Sequence, residues 1–255
     1  MSKTIEFVKG TKSASATGYY KPEILEKFGE ALREAKTAVM SGEDRKVRIS
    51  TGNRKMGDVP SFSTLPFITC PGRCADSCGK NCYAAKIANL YPAVRKAYAI
   101  NTALMILDRE NAFAQINGYL KAVRFFRFHV SGDIMDYDYF DRMVHCAVEN
   151  PHCRILAFTK RFEIVNEWID NNGDLPENLQ IIFSAWKDND PKYCGLNPHD
   201  LPESNIYTEA DSLGGWWDLP ETNDMICPGN CFSCACRNTG CWKLEKGATV
   251  YFKLH

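Results

Sequence analysis

The sequence lacks an excess of either charge: 31 Lys and Arg residues stand against 31 Asp and Glu over 255 residues. No global field therefore draws the chain to nucleic acid or to an anionic membrane, and a local basic groove, for instance one built from Arg95, Lys96, Arg124 and Arg127, is the remaining route to nucleic acid. The sequence also lacks any segment approaching the ~18 apolar residues a membrane span needs, and its opening MSKTIEFVKG holds no apolar run fit for a secretory signal. A cytosolic protein without membrane partners is expected. Internal repeats and low-complexity tracts are missing as well, which excludes a solenoid. With 45% hydrophobic residues, the chain can bury a full core as one large domain, or as one domain with a small appendage.

Cysteine, by contrast, is abundant, with twelve residues. Disulfide frameworks serve small secreted domains, whereas clustered cysteines in a reducing compartment point to metal. Nine fall in two windows. The first, CPGRCADSCGKNC, places Cys70, Cys74, Cys78 and Cys82 at a constant interval of four, and its proline and glycines argue for a loop that wraps thiolates around one centre. The second, CPGNCFSCACRNTGCW, holds Cys227, Cys231, Cys234, Cys236 and Cys241, five thiols where one closed site needs four. Either one is spare or more than one metal is bound. Spacing alone does not decide between zinc and iron–sulfur, but zinc sites usually place a longer excursion between cysteine pairs than the first window allows, which favours an iron–sulfur cluster there. One or two clusters are expected, with zinc the alternative in the second window. Cys146 and Cys153 read as buried thiols, and Cys194 as a possible extra ligand.

Along the chain, residues 1–45 form a polar arm and a helix, with Pro22 in its first turn, an apolar face of Ile24, Leu25, Phe28, Leu32 and Val39, and a stop at Gly42. Residues 46–209 alternate strand-like and helix-like pieces: short strands at 46–50 and 62–69, helices at 84–107 (broken at Pro92) and 112–122, a strand at 124–130, a helix at 138–149, a strand at 154–159, a helix at 162–171, and strands at 179–186 and 205–209. This alternation predicts an α/β fold with a parallel sheet. A cysteine-rich segment, 210–255, ends in a last strand at 249–254. The irregular stretches 187–204 and 210–226 are long enough to line a site or to need pinning by a metal.

The segment RFHVSGD carries the next signal. Period-two alternation sets Arg127, His129, Ser131 and Asp133 on one face and Phe126, Phe128 and Val130 on the other, so a polar stripe is expected in a buried strand, as in the interior of an open barrel or a ligand crevice. His129 reads equally as a satisfied core histidine. Gly132 permits close approach of a ligand, and Asp133 lies where α/β sites gather, at a strand's carboxyl end. The following strands end in Thr159, Lys160 and Arg161, then in Ser184, Trp186 and Lys187, so these carboxyl edges are expected to converge near the first cysteine loop.

The ordered motifs STGNRKMG, TCPGRC with NCYA, RFHVSGD, FTKR, SAW and C-x2-C-x-C-x4-CW resemble those of the phage-encoded gene product 88-like family, over about Ser50 to His255. That family is in turn similar to radical S-adenosylmethionine enzymes. The resemblance implies a partial (β/α) barrel in which Cys74, Cys78 and Cys82 bind a 4Fe-4S cluster whose fourth iron takes S-adenosylmethionine. Ser131, Gly132 and Asp133 would grip the cofactor's amino group, with His129, Thr159, Lys160 and Ser184 around it. A reductant such as a flavodoxin or ferredoxin and a small-molecule or macromolecular substrate would be the partners. The chain departs from the enzymes' usual C-x3-C-x2-C in having C-x3-C-x3-C, with Asn81 before Cys82 and Tyr83 after it. Cys70 also offers a fourth thiolate that would close the cluster. The alternatives are therefore a non-catalytic cluster protein for electron transfer or structure, or a zinc-stabilised interaction module.

Overall fold

The computed structural model describes residues 19–75, 77–185, 191, 194–207 and 224–253. The first helix, α1 (Pro22–Met40), opens on its proline and buries Ile24, Phe28, Leu32, Ala35 and Val39 at helical spacing. Ser41 caps it, and Gly42 follows at φ +81°, a left-handed turn that glycine adopts without penalty. After β1 (Ile49–Ser50) and β2 (Ser61–Phe62) come the first cysteine loop and three helices, α2 (Tyr83–Leu90), α3 (Pro92–Leu107) and α4 (Arg109–Leu120). The α2–α3 break falls at Tyr91, since a residue preceding proline is pushed out of helical geometry. Then β3 (Phe125–Phe128), α5 (Tyr137–Glu149), β4 (Arg154–Thr159), α6 (Phe162–Asn172) and β5 (Leu179–Ser184) alternate as predicted, and β6 (Glu203–Tyr207) follows. The C-terminal segment adds β7 (Met225–Ile226), α7 (Cys231–Arg237) and β8 (Thr249–Lys253).

The eight strands form one sheet in the order β1-β2-β3-β4-β5-β6-β8-β7, in which only the β1–β2 pair is antiparallel. From β2 to β6 each strand pairs in parallel with the next in sequence. Successive crossovers of one hand stack their helices on one face of such a sheet. Accordingly Phe126 and Phe128 of β3, Ile155 and Ala157 of β4 and Ile181 and Phe183 of β5 share one core with α1 and α3 to α6. Their alternates face the other way: Leu156 and Ile182, with Phe125 and Phe158, pack against Ala235, Trp242, Leu244 and Val250 of the C-terminal segment. Both faces of the central strands are thus buried, which explains their near-continuous apolar runs.

The fold is a mixed α/β structure with a mostly parallel sheet, as expected, with β1 and β7 at the two ends of the strand order. One expectation needs correction. The strands anticipated at 46–50 and 62–69 shrink to two residues each, because Asn101 takes over the polar backbone groups there: its amide accepts from Arg48 N–H and donates to the Arg48 and Ser63 carbonyls. Among the described residues no helix is long and apolar enough to cross a membrane. The N-terminal arm up to residue 18, Trp186, Lys187 and most of the 210–226 stretch lie outside the described residues.

Candidate metal centres at the sheet's carboxyl edge and beneath its C-terminal segment

Eight residues after β2 the chain reaches Cys70 and winds through two 3-10 turns, Gly72–Cys74 and Cys78–Asn81, before entering α2. These tight turns bring the thiols of Cys70, Cys74 and Cys78 together, with Cys74 hydrogen-bonded to both neighbours, and Cys82 lies within charge–charge reach of Cys70 and Cys78. Gly79 makes the coil possible, because a Cβ there would stand 2.6 Å from the Cys74 carbonyl oxygen. Backbone N–H groups already point at the sulfurs. Phe67 donates to Cys70 Sγ, and Ala85 donates to Cys82 Sγ in a helix-capping contact, each at 3.4 Å. Such donors favour thiolate over thiol.

The loop's titration is uneven. The Cys74 thiol is driven far up by its hydrogen bonds to Cys70 and Cys78, and burial pushes Cys82 up to about 12. Cys78 is pulled down to about 6, first by its hydrogen bond with Cys74 and then, against burial, by the Lys160 ammonium. Four thiols crowded this closely cannot all ionise without a cation among them.

The carboxyl ends of β3, β4 and β5 do converge beside this loop. Asp133 is buried, and its carboxylate accepts from the Thr159 hydroxyl at 2.6 Å, Lys160 N–H at 2.9 Å and Ile134 N–H at 2.8 Å. Burial raises its pKa against the pull of these donors. Lys160, also buried, donates through Nζ to the Ser184 carbonyl at 2.9 Å and to its hydroxyl at 2.5 Å. Ser131 donates to the Thr64 carbonyl at 2.8 Å, and Arg161 donates to the carbonyls of Ile134 and Thr69. Ser131, Asp133, Thr159, Lys160 and Ser184 therefore hold one polar web that ties three strand ends to the approach of the cysteine loop. In this web the Asp133 carboxylate is already engaged by three protein donors.

The polar stripe expected along RFHVSGD does not form. His129 takes a left-handed backbone, φ +59°, which turns its ring back among Phe62, Phe128 and Tyr139, at centroid distances of 6.4, 6.0 and 5.5 Å. It is buried, and neither imidazole nitrogen makes a well-formed hydrogen bond. Burial lowers its pKa to about 3, opposed by a weak backbone contact at Ser131 and reinforced by the charge of Arg127. It is a core histidine, though not a satisfied one. Gly132, at φ +79°, packs so closely on Thr64 and Thr69 that a Cβ would lie 1.9 and 2.5 Å from their hydroxyl oxygens, so the glycine serves protein packing.

Arg127 points to the opposite face of the sheet, under the C-terminal segment. Its Nη1 lies 3.6 Å from Met56 Sδ and 4.0 Å from Cys231 Sγ, and its guanidinium carbon is 4.7 Å from the centre of the Phe158 ring. Four of the five C-terminal cysteines, Cys227, Cys231, Cys234 and Cys241, pack against that core, while Cys236 is exposed. Burial pushes Cys241 up to about 12, and the charges of Cys227, Cys231 and Cys234 act on it as well. Cys146 and Cys153 are buried and Cys194 is exposed. In the positions shown, no group of three or more His, Cys, Asp or Glu among the described residues is arranged to hold a metal ion. What the fold supplies is proximity, N–H donors and a cation beside each set.

Sequence reasoning missed two participants. Tyr83 donates its hydroxyl to the Val130 carbonyl at 2.5 Å and lies within charge–charge reach of Cys82, Arg127 and Cys231, so it stands between the two cysteine sets. Thr69 contacts Thr64, Asp133 and Arg161, joining the loop to the strand ends. Its place immediately before Cys70 was the available signal.

A mixed α/β protein with a mostly parallel sheet and two cysteine-rich stretches is the class defined by this geometry. Within it, the chain belongs to the gene product 88 family, whose model, described as "Gene product 88", matches residues 33–246. No curated protein and no solved structure matches it.

Proposed function

We propose that this is an iron–sulfur protein whose 4Fe-4S cluster is held by Cys70, Cys74, Cys78 and Cys82. The observation that carries the reading is the grouping of these four thiols at the carboxyl edge of the parallel sheet, beside the buried Lys160 ammonium. Such a cluster, when bound, supplies one-electron redox chemistry. The protein's part would be to position the thiolates through the 3-10 turns, to donate N–H groups from Phe67 and Ala85, and to offset negative charge with Lys160, which no carboxylate among the described residues pairs. Inclusion of Cys70 in the group favours a four-thiolate, coordinatively closed cluster serving electron transfer or structure. A flavodoxin or ferredoxin would then be the partner.

A second reading, a radical S-adenosylmethionine enzyme acting on a small-molecule or macromolecular substrate, is favoured by the loop's placement at the carboxyl ends of parallel strands, where α/β proteins bind ligands. It requires Cys70 to stand free. Anaerobically purified protein should be brown, with iron and acid-labile sulfide in equal amounts and broad absorption near ~400 nm. Colourless protein containing zinc alone would overturn the proposal in favour of an interaction module. The two readings separate on reduction with S-adenosylmethionine. An unchanged cluster EPR signal and no 5'-deoxyadenosine in wild type, with a newly accessible iron in Cys70→Ala, support the closed cluster.

A further inference from the structure

Arg127 is a cation whose polar neighbours are sulfurs. It rises from β3 into the space beneath the C-terminal segment, stacks on Phe158 and directs Nη1 at Met56 Sδ and Cys231 Sγ, while its buried Nε has no partner. No carboxylate lies within ion-pair distance of it among the described residues. A half-buried guanidinium left without a counter-charge is costly, and thiols are poor acceptors. An anionic metal–thiolate centre beside it would supply that counter-charge, and the four cysteines gathered on this core are a donor set for one.

The segment's construction says which sulfurs take part. Cys227 follows β7, anchored by its N–H to the Tyr251 carbonyl at 2.9 Å. Cys231 and Cys234 are three residues apart in α7, so they share a helix face. Cys241 comes in through a 3-10 turn after Gly240, which takes φ +60° and approaches so closely that a Cβ would sit 3.2 Å from Cys234 Sγ. Cys236 is exposed, away from this group. Around the four, Trp242 Nε1 donates to the Cys231 carbonyl, and Arg154 donates to the carbonyls of Ala235 and Trp242, fixing the segment to the sheet.

We propose that Cys227, Cys231, Cys234 and Cys241 bind one structural zinc ion as a closed tetrathiolate site, with Arg127 as its charge-compensating partner. Four thiolates close a tetrahedral zinc site without further ligands. Zinc with four thiolates carries a net double negative charge, which the guanidinium partly offsets. Binding would draw the sulfurs inward from the positions shown and clamp the segment over Leu156, Phe158 and Ile182. The site is independent of the iron–sulfur reading, since it shares no ligand with the first loop.

The test is elemental analysis of intact protein purified without added metal. About one zinc per chain is expected in wild type and in Cys236→Ser, and loss of zinc in Cys241→Ser with iron content unchanged. Should Cys241→Ser fail to fold, cobalt-substituted wild-type protein answers in its place through the visible d–d absorption of a tetrahedral thiolate site. Arg127→Gln should weaken zinc retention against a chelator by about 10-fold, in the range of outer-shell substitutions. Absence of zinc from wild type, equal zinc loss in Cys236→Ser and Cys241→Ser, or no tetrahedral cobalt signal would overturn the site. Undiminished retention in Arg127→Gln would overturn the role given to the arginine. Loss of iron with zinc retained would sink the cluster proposal and leave this one standing.

Discussion

The Asp133 carboxylate accepts a hydrogen bond from the Thr159 hydroxyl at 2.6 Å, joining the loop after β3 to the last residue of β4. Its other oxygen takes the Lys160 N–H, so one buried acid organises the edge at which the cysteine loop sits. Through Thr69, whose hydroxyl accepts the Asp133 N–H at 3.2 Å, the same web reaches the residue preceding Cys70.

Removing that acid should unfasten the edge. Asp133→Ala leaves the Lys160 N–H and the Thr159 hydroxyl without their acceptor in a buried site, each costing roughly 1–3 kcal/mol. We expect a loss of about 3 kcal/mol, read as a lower urea midpoint, and about 2 kcal/mol for Thr159→Val, which removes one donor to the carboxylate and the acceptor of the Arg161 N–H. A variant as stable as wild type would mean that the carboxylate belongs to a ligand rather than to the fold.

Helix positions were the most legible part of the sequence. The apolar period of α1 and the proline at Pro92 determine elements through local chemistry, and α1, α3, α5 and α6 begin and end within a few residues of expectation. Convergence of Thr159, Lys160 and Ser184 on the first cysteine loop followed from strand alternation plus parallel topology. His129 was not legible, since period-two reasoning presumes an extended backbone and its φ of +59° reverses the side chain. Nor was the exposure of Cys236 beside four partly buried cysteines, which depends on how α7 rests on the opposite sheet face, a tertiary fact.

His129 supplies a pH dependence. Burial lowers its folded pKa to about 3, below the ordinary unfolded value near 6.5, so the unfolded chain binds the proton more tightly. Its contribution is fully present above about pH 6.5 and drains away as pH falls toward 3, at up to ~1.4 kcal/mol per pH unit. His129→Asn keeps a residue that tolerates the left-handed backbone and removes the titrating group. Unfolding free energies from urea titrations at pH 7, 6 and 5 should fall less steeply in the variant. Parallel curves would show that the imidazole is not the group responsible.

Arg154 should govern docking of the C-terminal segment. Its guanidinium donates to the Ala235 carbonyl at 3.1 Å and to the Trp242 carbonyl at 2.5 Å, and lies 5.9 Å from the Trp242 ring centre. Arg154→Met keeps an apolar stem but abandons both carbonyls, so we expect a loss of about 2 kcal/mol and increased exposure of Trp242. Tryptophan fluorescence should shift to longer wavelength under native conditions, and an unshifted spectrum would contradict this anchoring role.

Gly132 gives the sharpest steric test. Alanine there would need φ +79°, at a cost of roughly 1–2 kcal/mol. Its methyl group would also stand 1.9 Å from Thr64 Oγ1 and 2.5 Å from Thr69 Oγ1. Those two hydroxyls hydrogen-bond to each other at 2.9 Å, and Thr69 accepts the Asp133 N–H, so neither can retreat without breaking the web beside Cys70. Gly132→Ala should therefore lose well over 2 kcal/mol, and the damage should propagate to the first cysteine loop rather than to the second set. Pairing Gly132→Ala with Gly132→Ala/Thr64→Ser separates the causes, because serine lacks the threonine methyl and can swing its hydroxyl aside. Partial recovery of the thermal midpoint in the double variant identifies the Thr64 contact as the obstacle, and no recovery assigns the cost to the Thr69 contact and the backbone conformation.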